Sequence, residues 1–117
     1  MNDQELVFLS AKDLSNKIKS RVISPVEAVN AYLERINTLD GKLNAYITVM
    51  TDEALSQALI AEKEIASGTY RGPLHGVPVG IKDQIYTKGI RTSSASKIRS
   101  DFVPDYDATV VAGLKRS

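Results

Sequence analysis

The stretch Gly72-Pro73-Leu74-His75-Gly76-Val77-Pro78-Val79-Gly80-Ile81-Lys82-Asp83 sets a lysine at the end of a short apolar run punctuated by glycine and proline. Val77, Val79 and Ile81 alternate in the manner of a buried strand over 77–82. Pro78 restricts that strand to a sheet edge or a strand start. Gly72-Pro73 and His75-Gly76 read as turns leading into it. An ammonium group is costly to bury, so an apolar setting favours the neutral amine. A neutral lysine is a base at pH 7, which makes Lys82 the first candidate for chemistry in this chain.

Upstream of this stretch the chain reads as helical. Ser10 is placed to cap a helix with Ala11, Leu14 and Ile18 along one face. Ser24 is the N-cap of a second helix, with Pro25 at its first position and Glu27 completing a capping box. Val26, Val29, Leu33 and Ile36 follow at spacings of three and four, a core or helix-packing stripe. Asp40-Gly41 is the expected stop. Tyr46, Ile47 and Val49 suggest a short strand over 45–50. Thr51 is the expected cap of a third helix, which Gly68 ends.

Downstream, 86–106 reads as irregular, with Lys88-Gly89 and the serines Ser93, Ser94 and Ser96. Asp107 is the expected cap of a last helix through Ala108, Val110, Val111 and Leu114. No internal repeat or low-complexity tract is present. Two helix-to-strand transitions occur, yet few strands are available to pair with one another. The layout is expected to be the opening of a larger α/β domain.

Composition narrows the function classes. At 117 residues there is room for one small domain, and 25% charged against 43% apolar residues is a globular mix. Fifteen Lys+Arg against fourteen Asp+Glu leave a net charge of +1. That gives no electrostatic case for direct nucleic-acid binding or for an anionic membrane. Without cysteine there is no disulfide, thiolate metal site or cysteine nucleophile. The start Met1-Asn2-Asp3-Gln4-Glu5 has neither the basic region nor the apolar core of a signal peptide. No apolar run approaches membrane-spanning length. A cytoplasmic setting is expected. One histidine among scattered carboxylates gives no metal-ligand spacing.

The landmarks, taken in order, resemble the amidase signature family. Gly72 to Asp83 closely matches that family's lysine motif. Ser24-Pro25-Val26-Glu27 and Leu43-Asn44-Ala45-Tyr46 precede it. Thr87-Lys88-Gly89-Ile90-Arg91-Thr92 and Tyr106-Asp107-Ala108-Thr109-Val110-Val111 follow in register, so the similarity covers nearly the whole chain. The resemblance implies an α/β fold, a mixed β-sheet layered with helices, of which 1–117 is the N-terminal part. It also implies amide-bond hydrolysis by a Ser–cis-Ser–Lys triad. A serine attacks the carbonyl, a second serine relays the proton, and a neutral lysine accepts it. Lys82 matches that lysine. No cofactor or metal is implied, and the substrate is a small-molecule amide.

Gln84 departs mildly from the family's usual Asn. The larger departure is that no Gly/Ser-rich loop bearing the two serines lies between Lys82 and Ser117. Ser93, Ser94 and Ser96 lack flanking glycines and follow the lysine too soon. The expectation is therefore a fragment that supplies the lysine alone and is inactive by itself. Within the family, the runs Thr87 to Lys97 and Phe102-Val103-Pro104 look like the A subunit of glutamyl-tRNA amidotransferase. That protein releases ammonia from glutamine for partner subunits. A non-catalytic binding or assembly module is the remaining alternative, and the candidate partners are amidotransferase subunits or, in a homo-oligomer, further copies of the chain.

Each singled-out residue also has a plainer reading. Lys82 is then a strand-end lysine that snorkels to solvent or pairs with Asp83. Asp83, pointing the opposite way along a strand, is expected to hold the loop that follows. His75 is expected to serve a turn or packing role. The serine cluster with Lys97 reads as a polar loop. Glu53, Glu62 and Glu64 with Lys63 read as a solvated helix face.

Overall fold

A computed structural model describes all 117 residues, Met1–Ser117. The chain divides into two compact units, Met1–Pro78 and Val79–Ser117. The first holds four helices: α1 (Asp3–Leu6), α2 (Ala11–Lys19), α3 (Pro25–Leu43) and α4 (Thr51–Ala66). The second holds α5 (Thr109–Arg116).

The helix starts follow from local chemistry. The Ser10 Oγ accepts the Asp13 N–H at 3.1 Å and opens α2. Ser24 and Glu27 form the expected capping box: the Ser24 Oγ accepts the Glu27 N–H at 3.1 Å, and the Glu27 carboxylate accepts the Ser24 N–H at 2.7 Å. Each satisfies a donor that a helix N-terminus otherwise leaves without a partner. The short helix α1, which the sequence pattern does not announce, opens on the same device with Asn2 and Glu5.

Other boundaries differ from expectation. Gly41 does not stop α3, which runs on to Leu43 and closes on Asn44 in the left-handed conformation (φ 50°). Asn tolerates that conformation. The Asp40 carboxylate then accepts the Ala45 N–H at 2.7 Å. Thr51 is the first residue of α4 rather than its cap, and Met50 at the cap makes no side-chain bond. Asp107 likewise does not cap α5, which starts after Ala108.

The expected mixed β-sheet is not found; all five elements are helices. The segments 45–50 and 77–82 carry strand-like sequences but form no ladder. A strand is held by the backbone of its neighbour, and intrinsic preference alone does not hold one in water. Neither segment meets such a neighbour here. Val79 and Ile81, expected to be buried, are 51% and 39% exposed.

The core of the first unit gathers Leu6, Leu14, Ile18, Ile23, Ala28, Ala31 and Ile65, and α3 packs on α4. Of the stripe on α3, Val29 is buried while Val26, Leu33 and Ile36 are half-buried. After α4 the chain returns across the unit, where the Ser15 hydroxyl donates to the Pro73 carbonyl at 2.5 Å. Gly76 (φ +82°) lies so close to Pro25 that a Cβ there would come within 2.7 Å of Pro25 Cγ. Only glycine fits that crossing.

In the second unit, loop bonds and an aromatic cluster organise the chain ahead of α5. The Ala108 N–H donates to the Tyr86 carbonyl at 2.8 Å and the Lys88 N–H to Asp107 Oδ1 at 2.7 Å. Farther along, Gly89 N–H meets the Pro104 carbonyl at 3.0 Å and Thr92 N–H the Phe102 carbonyl at 2.9 Å. These bonds draw 86–108 into a loop closed at its neck. Tyr86 packs on Phe102 and Tyr106, with ring centroids 5.2 and 5.4 Å apart, and the Arg99 guanidinium lies 4.3 Å from the Phe102 centroid. No helix is long and apolar enough to cross a membrane.

Candidate active site

Lys82 lies in the second unit, outside any strand or helix, and its side chain is exposed, so the apolar burial its sequence setting suggests is not found here. Its own peptide is nonetheless fixed. The Lys82 carbonyl accepts the Ile85 N–H at 3.0 Å, closing a turn directly after the lysine.

Asp83 takes the role expected of it. One carboxylate oxygen accepts the Ser93 N–H at 2.9 Å and the other accepts the Ser93 hydroxyl. The Asp83 main-chain carbonyl accepts the Ser94 N–H at 2.8 Å. The bond from the Ser93 hydroxyl, then that from its N–H, holds the Asp83 carboxyl below the usual carboxylate range. Smaller contributions come from the Ala95 N–H and the Arg91 guanidinium, and partial burial opposes them.

This arrangement decides the reading of the serine cluster. Ser93 is buried and its hydroxyl is committed to Asp83. Ser94 and Ala95 occupy the centre of a tight turn at φ 53° and 54°, closed by the Ser96 N–H on the Ser93 carbonyl at 2.9 Å. None of Ser93, Ser94 and Ser96 shares a hydrogen bond with Lys82 or Lys97, so no Ser–Lys dyad is assembled here.

In the first unit, His75 is 4% exposed and held from both sides. Its Nδ1 accepts the Arg71 N–H at 3.1 Å. An amide nitrogen only donates, so the ring proton sits on Nε2 and points at Glu64 Oε2, 2.8 Å away. Glu64 Oε1 takes the Arg71 guanidinium at 2.5 Å. Burial works to raise the Glu64 carboxyl, but the bonds from His75 and Arg71 outweigh it and hold it low. Both ring nitrogens of His75 are thus engaged. The ring fastens the turn at the start of the lysine motif onto α4. Sequence reasoning places Glu64 on a solvated face and misses this network. The signal available is a lone histidine in a glycine-bounded turn, shortly beyond the end of a glutamate-bearing helix.

Comparison with known proteins bears on this geometry. The family model described as Amidase matches residues 27–117. A curated relative from Carboxydothermus hydrogenoformans, the A subunit of glutamyl-tRNA(Gln) amidotransferase, is 47% identical over 113 residues, which is 97% of this chain and 23% of that protein. The protein of the same name from Geobacter sp. (strain M21) is 50% identical over 95% of this chain and 23% of its own length. Among solved structures, the peptide amidase PAM in complex with the competitive inhibitor chymostatin superposes with a TM-score of 0.87 at 33% identity, over 96% of this chain and 23% of that one. The chain thus spans roughly a quarter of the length of the proteins it matches.

Proposed function

The chain belongs to the amidase family, and on that premise we propose that it is the N-terminal part of a longer amide-cleaving enzyme in which Lys82 is the general base. The ordered motif set around Gly80-Ile81-Lys82-Asp83 carries this reading. The remaining length supplies the two serines. In the first step the nucleophilic serine bonds to the amide carbon as its proton passes through the relay serine to the Lys82 Nζ. When the C–N bond breaks, the resulting ammonium returns the proton to the departing amine. Water then releases the acyl group by the same route.

Within that chemistry we infer the glutamine-cleaving A subunit of an amidotransferase. Identity of 47–50% to proteins of that name, against 33% to the peptide amidase, supports this choice over a free-standing hydrolase. The substrate is then a small amide, the product ammonia, and the partners the other amidotransferase subunits in the cytoplasm. The test is to tag the full-length protein, purify it and assay ammonia release from L-glutamine. Two co-purifying subunits and glutamine-dependent ammonia are expected. An isolated enzyme that ignores glutamine yet turns over other small amides would overturn the amidotransferase assignment in favour of a hydrolase.

A further inference from the structure

We propose that Asp83 and Ser93 form a positioning latch for Lys82; this rests on the reading of Lys82 as the base. The lysine lies outside any strand, with no ladder on either side, so sheet hydrogen bonds do not fix its main chain. Other bonds do. The Lys82 carbonyl is held by the Ile85 N–H at 3.0 Å. The very next residue is tied to the 93–96 turn three times: Ser93 N–H at 2.9 Å, the Ser93 hydroxyl, and Ser94 N–H at 2.8 Å on the Asp83 carbonyl.

The turn itself shows how firmly the latch holds. Its two central residues, Ser94 and Ala95, are both non-glycine and both left-handed, at φ 53° and 54°. Side chains disfavour that conformation, and it persists only where surrounding bonds over-determine it. Asp83 provides those bonds. The far side of the turn is anchored as well. Thr92 is 2% exposed and its N–H meets the Phe102 carbonyl at 2.9 Å, joining the turn to the aromatic cluster. Lys82 is therefore followed directly by a residue that the 93–96 turn holds through three hydrogen bonds. Ser93 lies ten residues beyond Asp83, and its hydroxyl is committed to the Asp83 carboxylate.

A base must lie within hydrogen-bond reach of the proton it takes, so small displacements are felt mainly in turnover. The experiment is steady-state ammonia release from L-glutamine by the full-length enzyme and its partner subunits, with kcat expressed per active site titrated by covalent labelling. The variants are Lys82→Ala, Asp83→Ala, Ser93→Ala and Asp83→Asn. Asn fits the same space, and the Ser93 hydroxyl rotates to accept from it, so Asp83→Asn keeps both side-chain bonds. Asp83→Ala and Ser93→Ala are expected to lower kcat about tenfold or more with KM unchanged. Asp83→Asn is expected to restore most of the loss. A purely structural role would reduce the number of titratable sites and leave kcat per site intact. If Lys82→Ala is dead while both alanine variants keep wild-type kcat, the latch is overturned and the base assignment stands. If Lys82→Ala turns over normally, the base assignment falls and the latch with it. Ser93→Ala removes a single side-chain bond, and so decides the matter should Asp83→Ala fail to fold.

Discussion

At the scale of single residues, the strongest constraints sit where the backbone conformation or a close approach leaves one choice. Gly76→Ala sets a Cβ 2.7 Å from Pro25 Cγ at a positive φ. It is expected to destabilise the protein by about 2–4 kcal/mol, by adding overpacking to backbone strain; chemical denaturation measures it. Ala95→Gly is the converse. Relieving φ 54° is expected to stabilise by about 1 kcal/mol, and an unchanged midpoint would show that the turn carries no strain. Residue chemistry is unevenly legible in the sequence. Asp83 is adjacent to the lysine, and its loop-holding role follows from a carboxylate preceding a polar loop. Glu64 and His75 stand eleven residues apart, and only the return of the chain after Gly68 brings them within 2.8 Å. No local pattern encodes that return.

At the scale of elements, what can be read is what is decided within one turn of chain. Ser10 and Ser24 cap their helices as expected because a cap needs only a side-chain oxygen and an N–H three residues on. Ser24→Ala is expected to cost about 1 kcal/mol, measured as a lower denaturation midpoint; Ser24→Asp should restore it. Stops are harder to place. Gly41 lies inside α3 because the apolar face and the Asp40 bonds to the following chain favour continuing to Asn44. The strand readings for 45–50 and 77–82 identify apolar alternation but not a ladder, because the latter depends on a partner backbone that the segment's own sequence does not specify. An alternating run reports a preference for a half-buried pleated surface, and here Val79 and Ile81 remain half open to solvent.

At the scale of the molecule, three carboxylates tie distant segments together: Glu64, Asp83 and Asp107. All are held below their ordinary range, Asp107 chiefly by the Lys115 ammonium and the Lys88 N–H. A carboxyl with a depressed folded value stabilises above its unfolded value and loses that contribution as pH falls through the folded one. Stability is therefore expected to be insensitive to these groups above about pH 5 and to decline below about pH 4. A denaturation series against pH should show this, with a shallower acid decline in Asp83→Asn. The exposed apolar residues Leu43, Tyr46, Ile47, Leu59 and Ile60 point to surface suited to covering by other protein. The 117-residue chain alone is accordingly expected to bind a hydrophobic dye and self-associate at micromolar concentration; a dye-silent monomer by light scattering would argue for a self-sufficient module. Whether Lys82 accepts the nucleophile's proton is decided by single-turnover acylation. The full-length enzyme is mixed with L-glutamine, quenched, and examined by mass spectrometry for the covalent acyl adduct. With Lys82 as the base, the adduct forms rapidly in the wild type and about 10²–10⁴-fold more slowly in a folded Lys82→Ala variant. Acylation at the wild-type rate in that variant would contradict the assignment.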